Sequence, residues 1–232
     1  MQNTSKPKNH LQWVQKQQEL INSFKAQPLI VVLRPEEKDY ENGPEGNLFF
    51  LIEQLCLEGI IHVEIGWSSH PNWLNLIEEI IKKFPNTLFG AASITSLIAL
   101  DSVIKVGLPY SMTPSWDESL QIHARESNQV LIPGVFSPTE IQQAISFGNQ
   151  IVKLFPASTL GKNYLNRIQE PLKPIPFMIA AGGILANDIE EWLDAGFGAV
   201  ALGRGLINNK KFDPSLRKWL KIQSGDIQKV NY

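Results

Sequence analysis

The stretch QIVKLFPAS, residues 150–158, is a short apolar and β-branched run with a single charged side chain, Lys153, inside it. A lysine in a strand that is covered on both faces loses its hydration unless another group compensates. Runs of the same kind recur along the chain with helical stretches between them, which is typical of repeated βα units around a parallel sheet. The number of such runs decides the architecture.

Eight runs predict eight strands, with helices between them. The strands are predicted at residues 29–33, 60–65, 87–91, 109–113, 129–133, 150–155, 176–180 and 198–203. Helices are predicted at about 46–58, 72–83, 94–105, 116–127, 138–147, 161–170 and 187–195, with an extra one before the first strand at 11–24 and another at 213–221. This alternation predicts an α/β fold, a (β/α)8 TIM barrel over about 28–210 with an extra N-terminal helix, in one domain spanning 1–232. A doubly wound open sheet is the alternative, although no G-x-G-x-x-G follows the first strand.

Capping motifs mark the starts of two of these helices. SPTE at 137–140 and NDIEE at 187–191 each place a capping side chain ahead of acidic first-turn residues. We therefore expect a side-chain N-cap at both places.

Composition narrows the choice of partner. The 232 residues include 21 Lys and Arg against 23 Asp and Glu, a net charge of -2, so we expect neither nucleic acid nor an anionic membrane as a partner. No apolar run approaches the roughly 20 residues that span a bilayer, and the polar N-terminus does not resemble a signal peptide. The lone cysteine, Cys56, fits a reducing, cytoplasmic compartment, and the four histidines have no metal-ligand spacing. We expect a small-molecule partner and no metal or cofactor.

The residues at the ends of the predicted strands are the candidates for a site, because chemistry in a barrel is built there. Glu64 and Lys153 are the two ionisable groups inside strands, and we expect them to converge near the barrel mouth. Burial lowers the pKa of a lysine, and a neutral amine attacks ketones to form a Schiff base while a nearby carboxylate moves protons. A structural ion pair is the alternative. The other strand ends carry Arg34, Ala91 to Ser93, Thr113, Pro133 with Gly134, Ala181 to Gly183, and Gly203 with Arg204.

Two glycine-containing segments predict a phosphate site. AAGGI (180–184) and LGRGL (202–206) follow the seventh and eighth strands, which is where barrels of this kind bind phosphate through backbone N–H groups. Arg204 strengthens this prediction. Two other polar residues are expected to be structural: His62 as a hydrogen-bonded core residue and Lys162 as a solvated first-turn residue.

Six motifs in this order resemble the class I aldolases that cleave 2-keto-3-deoxy-6-phosphogluconate and 4-hydroxy-2-oxoglutarate, over about residues 20–210. IVVLRP is similar to the family's first strand with its terminal arginine, HVEIG to its V-x-E motif, and LFGAASI to its G-A-G-T-V segment. LIPGV is similar to the L-I-P-G turn, VKLFPA to the K-x-F-P-A motif, and AAGGI to P-T-G-G-I. The lysine motif and the L-I-P-G turn are the most specific.

The resemblance implies a role for each matched residue. Lys153 would form the Schiff base with a keto-acid substrate, and Glu64 would be the general acid and base. Arg34, Ser93 and Thr113 are further candidates for contact with the substrate. The family is commonly trimeric, which implies a homotrimer. The remaining matched positions would surround the substrate, with Phe155 and Pro133 at the pyruvyl moiety and Gly182, Gly183 and Gly203 at the distal, often phosphorylated, end.

Departures from the family pattern leave the substrate open. The family usually has an arginine four residues after the catalytic glutamate to hold the pyruvate carboxylate, and here that position is Ser68. A charge-assisted contact is therefore missing, and Arg34 is the candidate to replace it. After strand eight a serine donor is lost and Arg204 is gained, so the acid can be phosphorylated or not.

Two other functions stay open at this point. One is a sugar-phosphate isomerase or epimerase that uses Glu64 as base and Lys153 as an electrostatic clamp. The other is a non-catalytic relative that binds a metabolite, because the carboxylate-binding arginine is lost and the glycine loops are altered. Covalent chemistry at Lys153 separates the aldolase from both.

Overall fold

One parallel sheet forms the centre of the computed structural model, which describes residues 6–208 and 211–223. Within that part of the chain the sheet consists of β1 (Leu29–Leu33), β2 (His62–Gly66), β3 (Leu88–Ala92), β4 (Tyr110–Met112), β5 (Val130–Ile132), β6 (Gly134–Val135), β7 (Ile151–Leu154), β8 (Phe177–Ala181) and β9 (Ala199–Leu202). The strands lie in the order β5-β4-β3-β2-β1-β9-β8-β7-β6, and the pairings are parallel. A separate antiparallel pair joins β10 (Ile207–Asn208) to β11 (Lys211–Phe212).

The two ends of this sheet, β5 and β6, are halves of one strand that is interrupted at Pro133. Proline has no backbone N–H, so the ladder cannot run through it. Its carbonyl still accepts the N–H of Lys153 at 2.9 Å, and the carbonyl of Ile132 accepts the N–H of Thr113 at 3.1 Å. Because β5 pairs with β4 and β6 pairs with β7, the sheet closes into a barrel. The predicted (β/α)8 barrel is confirmed, and the open sheet is wrong.

Helices connect the strands on the outside of the barrel. They are α1 (Lys6–Ala26), α2 (Glu37–Asn42), α3 (Asn47–Leu57), α4 (Trp73–Lys83), α5 (Leu97–Val106), α6 (Glu118–Glu126), α7 (Pro138–Phe147), α8 (Ala157–Leu160), α9 (Tyr164–Leu172), α10 (Ile189–Asp194) and α11 (Pro214–Gln223). Each predicted helix is present with its ends shifted by a few residues, whereas the short α2 and α8 escaped prediction. Among the described residues, no helix is long and apolar enough to cross a membrane.

One of the two predicted helix caps is confirmed. At the start of α7, the Ser137 hydroxyl accepts the N–H of Glu140, and the Glu140 carboxylate accepts the N–H of Ser137 in return. The cap predicted at 187–191 is wrong. A 3-10 turn, Ala186–Asp188, leads into α10 there, so Asp188 has helical φ and ψ angles and its side chain makes no capping bond. A capping residue needs an extended backbone to bring its side chain over the first turn.

Side chains on the barrel strands alternate between two cores. One core lies between strands and helices, and the other fills the barrel interior, where Ile30, Ile151 and Ile179 meet residues of α1. Phe24 of α1 packs edge-on against His62 and Tyr110, with ring centroids 4.9 Å and 5.5 Å apart. Both partners are the first residues of their strands, so α1 closes the N-terminal end of the barrel. The opposite end is left for a site.

Candidate active site

Lys153 and Glu64 both face the barrel interior. Lys153 lies two residues after Ile151 on β7, and Glu64 lies two residues after His62 on β2; since side chains alternate along a strand, each shares the inward face of its neighbour. Their exposed fractions are only 7% and 2%. The predicted convergence is supported by a direct electrostatic interaction between the two groups. Within residues 6–208 and 211–223, Lys153 nevertheless forms no ion pair with a carboxylate.

Burial is the largest influence on the protonation of both groups. It lowers the pKa of Lys153 from 10.5 to about 8, against the opposing attraction of Glu64, and the Arg34 guanidinium lowers it further. Burial raises the pKa of Glu64 from 4.5 to about 7, while the charges of Lys153 and Arg34 oppose the rise. Near neutral pH, each group therefore has both protonation states within reach. This is what a nucleophilic amine and a proton carrier require.

Arg34 follows β1 and extends across the end of β2. Its Cγ lies 3.0 Å from the place that a Cβ on Gly66 would occupy, so the absence of a side chain at Gly66 makes room for it. The guanidinium acts on both Glu64 and Lys153. The structure thus brings Arg34 to the mouth of the barrel, as predicted, beside both ionisable groups.

Ser68, at the position of the missing arginine, is held by residues that the sequence did not predict. Its hydroxyl lies 2.6 Å from the Tyr40 hydroxyl and accepts the N–H of His70 at 3.3 Å. The Tyr40 ring stacks on His70 with centroids 3.9 Å apart, and His70 lies 3.4 Å from the Glu37 carboxylate. Burial raises the pKa of Tyr40. No motif marks Tyr40, because its place beside Ser68 comes from the fold of α2.

The predicted residues on strands three to five lie at the same end of the barrel. Ser93 directly follows β3 and has a positive φ of 66°, which is unusual for a residue with a side chain. Thr113 is buried, and its hydroxyl donates to the carbonyl of Ser115 at 3.0 Å. Pro133 lies beside Lys153 across the strand pairing. The Thr113 hydroxyl is therefore engaged within its own loop.

The loop after β8 packs closely against the segment after Lys153. The Phe155 ring is 37% exposed, and its centroid lies 5.2 Å from the Lys153 Nζ. A Cβ on Gly182 would come within 2.9 Å of this ring, and one on Gly183 would overlap the Ser158 hydroxyl. Both glycines have positive φ angles, so a side chain is excluded by space and by backbone conformation.

Gly203 and Arg204 follow β9 and complete the rim. The space beside Gly203 is open, and Arg204 is exposed at the start of a 3-10 turn, Arg204–Leu206. The residues predicted for a phosphate site, Gly182 and Gly183 after β8 and Gly203 and Arg204 after β9, thus share one end of the barrel.

Two polar residues lie outside this site. His62 is a hydrogen-bonded core residue, as predicted: Nε2 lies 2.8 Å from the Ser23 hydroxyl, Nδ1 lies 3.3 Å from the Leu29 carbonyl, and burial lowers its pKa to about 4. Lys162 precedes α9 and pairs with Glu191 at the surface. In the described part of the chain, no three His, Cys, Asp or Glu side chains cluster as metal ligands.

Known proteins are similar to this chain over much of its length. Residues 20–224 match the family model described as KDPG and KHG aldolase. A probable 2-dehydro-3-deoxy-6-phosphogalactonate aldolase of Rhizobium meliloti is 30% identical over 183 residues, covering 77% of this chain and 81% of the relative. The 2-dehydro-3-deoxy-6-phosphogalactonate aldolase of Escherichia coli is 28% identical over 149 residues, covering 64% and 72%.

A solved structure agrees with these relatives. The KDPG aldolase of Legionella pneumophila, crystallised with pyruvate captured as a covalent carbinolamine intermediate, superposes with a TM-score of 0.71 at 25% identity. The alignment covers 86% of this chain and 95% of that one. Because the family model matches residues 20–224 of this chain, the chain belongs to the KDPG and KHG aldolase family of lyases.

Proposed function

We propose that the protein cleaves a 2-keto-4-hydroxy acid to pyruvate and an aldehyde through a Schiff base on Lys153. The observation that carries this proposal is a lysine that is buried at the barrel mouth and forms no ion pair with any described carboxylate, so that burial lowers its pKa to about 8 despite the attraction of Glu64. A much larger share of such a lysine is neutral at pH 7 than of an ordinary one. The membership of the family supports the same chemistry.

The bond changes follow from the two ionisable groups. The neutral Lys153 amine adds to the C2 ketone, and the carbinolamine, protonated on its hydroxyl by the carboxylic acid of Glu64, loses water to give an iminium ion. Glu64, as carboxylate, accepts the proton of the C4 hydroxyl. The electrons of the C3–C4 bond then move into the iminium, which releases the aldehyde and leaves an enamine. Protonation at C3 and hydrolysis release pyruvate and restore the Lys153 amine.

The remaining predicted residues are assigned to binding. Arg34 holds the substrate carboxylate in place of the arginine that Ser68 replaces, because its guanidinium already acts on the buried pair. Arg204 neutralises an anionic, phosphorylated far end, consistent with the phosphorylated sugar acids in the names of the relatives. The other contacts are assigned as walls and backbone donors, with Ser93, Thr113, Pro133 and Phe155 around the pyruvyl moiety and Gly182, Gly183 and Gly203 at the far end.

The proposal also covers the oligomeric state and the cellular location of the protein. A homotrimer of single-domain chains is proposed from the resemblance to the family, and a reducing cytoplasmic compartment from the lone cysteine, Cys56. Light scattering of the purified protein after size exclusion tests the trimer, and a monomeric mass contradicts it.

The decisive experiment is trapping with borohydride. The protein is incubated with pyruvate and borohydride, and the modified residue is located by peptide mass spectrometry. The Schiff base is supported by an adduct on Lys153 that forms in the wild type and in Lys162→Met but not in Lys153→Met. Lys162 is the matched control because it pairs with Glu191 at the surface. Folded protein that gives no adduct at saturating pyruvate favours the isomerase or the non-catalytic alternative.

A further inference from the structure

Tyr110 is a buried phenol inside the barrel that none of the motifs includes. It begins β4, its exposed fraction is 0%, and its ring packs edge-on against Phe24. Its hydroxyl is buried without a hydrogen-bond partner in the described residues. A buried hydroxyl without a partner costs free energy, so its presence inside the barrel requires an explanation.

The strand register places this phenol next to Glu64. Glu64 pairs with Gly90 on β3, and Gly90 pairs with Tyr110 on β4. A Cβ on Gly90 would overlap the Tyr110 ring, and the carbon that bears the hydroxyl is the closest of its atoms. The phenol therefore lies over Gly90 and extends across β3 towards β2, where Glu64 is the facing residue. Glycine is required at 90 for this close approach.

The neighbouring carboxylate of Glu64 has an acceptor oxygen that also lacks a hydrogen bond within the described part of the chain. Oε1 of Glu64 is also buried without a hydrogen-bond partner among the described residues. Burial raises the pKa of Tyr110, and the charge of Glu64 raises it further, so the two groups interact electrostatically. A phenol O–H is a donor and a carboxylate is an acceptor, so one hydrogen bond would satisfy both atoms. Since neither oxygen has a partner among the described residues, no direct hydrogen bond joins them, and a single bridging water serves the same purpose.

We propose that Tyr110 is a positioning residue that donates a hydrogen bond to a single water, which in turn bonds to Oε1 of Glu64. The bond stabilises the carboxylate form and fixes the carboxyl plane, which leaves the other oxygen to exchange protons with the substrate. Tyr110 acts through Glu64 and does not touch the substrate. Its catalytic consequence rests on the proposed function, whereas its effect on Glu64 does not.

The charged and titratable groups that face Glu64 come from three other places. Lys153 on β7 and Arg34 after β1 favour its ionised form, and His62 lies two residues below it on the same strand. His62 has its pKa lowered to about 4, so it stays neutral across the range in which Glu64 titrates. A change at Tyr110 that leaves these groups in place therefore reports on the Tyr110 hydroxyl alone.

The test is an NMR titration of protein labelled with carboxyl-13C glutamate. The Glu64 resonance is assigned by its loss in Glu64→Gln, and its midpoint is compared between wild type and Tyr110→Phe. Without the phenol donor, we expect the midpoint to rise by about one unit or more, a tenfold increase in proton affinity, because a hydrogen bond to a charged group favours that form. Ser111→Ala is the matched control, because it removes an equally buried hydroxyl, also without a partner among the described residues, from the outward face of β4.

The outcomes separate this inference from the proposed function. The bond is supported if the Glu64 titration midpoint rises in Tyr110→Phe and stays at the wild-type value in Ser111→Ala, with the thermal unfolding midpoints of both variants unchanged. A Glu64 titration midpoint that is unchanged or lowered in Tyr110→Phe overturns it. Both results are obtained without substrate. If the wild type also forms the Lys153 adduct, the pH profile of proton exchange at the pyruvate methyl group should move upward by the same amount in Tyr110→Phe. If no Lys153 adduct forms, the Schiff base is contradicted, and the titration still tests the role of Tyr110.

Discussion

Replacing Lys153 with methionine should make the protein more stable near pH 6 while it abolishes the release of pyruvate. Burial holds the pKa of Lys153 at about 8 instead of 10.5, so folding the charged form costs free energy at any pH below 8. At roughly 1.4 kcal/mol per pKa unit, the cost is about 3 kcal/mol. Methionine has a similar length and no charge, so the variant avoids this cost.

The sign and the pH window follow from the linkage of protonation to folding. Below pH 8 both folded and unfolded chains carry the lysine proton and the full cost is present; between 8 and 10.5 the unfolded chain keeps the proton that the folded chain loses, so wild-type stability rises. The advantage of Lys153→Met should therefore fall below about 1 kcal/mol by pH 10. Glu64 does not disturb the comparison at pH 6, because its pKa is about 7 in the wild type and rises further when Lys153 is removed.

Differential scanning calorimetry at pH 6 and at pH 10 measures this difference. For a chain of this size, about 3 kcal/mol corresponds to a rise of roughly 6 to 12 °C in Tm at pH 6. Lys162→Met, which changes a surface lysine paired with Glu191, should show no comparable pH-dependent gain. If Lys153→Met is less stable than the wild type at pH 6, or if its advantage is the same at both pH values, the account of a desolvated lysine is wrong.

Three further predictions concern the rim, the barrel interior and the nucleophile. Arg204→Ala should lower kcat/KM for a phosphorylated substrate by roughly tenfold or more and leave an unphosphorylated one unchanged, because a charge-assisted contact is lost; equal losses on both would remove Arg204 from a phosphate site. Gly90→Ala should reduce the free energy of unfolding by about 1–3 kcal/mol, since the new methyl group overlaps the Tyr110 ring. Urea denaturation measures that loss, and it should shrink when Tyr110→Leu is added; additive effects would contradict the overlap. The rate of trapping with pyruvate and cyanoborohydride should rise through about pH 8, where Lys153 becomes neutral; a midpoint near 10.5 would exclude a lowered lysine pKa.

The fold and the positions of the main site residues could be predicted from the sequence because both depend on short-range patterns. Apolar β-branched runs identified every barrel strand except β6, and the order of the strands predicted that Arg34, Glu64, Lys153 and Arg204 lie towards one end of the barrel. The sequence predicted a single fifth strand that ends at Pro133, whereas the structure has β5 before this proline and β6 after it. Strand pairing around Pro133 is a contact between segments distant in sequence, so no local pattern contains it.

Only the tertiary structure decided which side chains surround the ionisable pair. Tyr40 reaches Ser68 because α2 folds back over the end of β2, and Tyr110 reaches towards Glu64 because the register of three strands puts Gly90 between them. The sequence by itself determined that a lysine and a glutamate stand within apolar strand segments, and hence the kind of chemistry to expect. Their distance from each other, their burial and their pKa values depend on barrel closure, because electrostatic interactions and desolvation act through space and not along the chain.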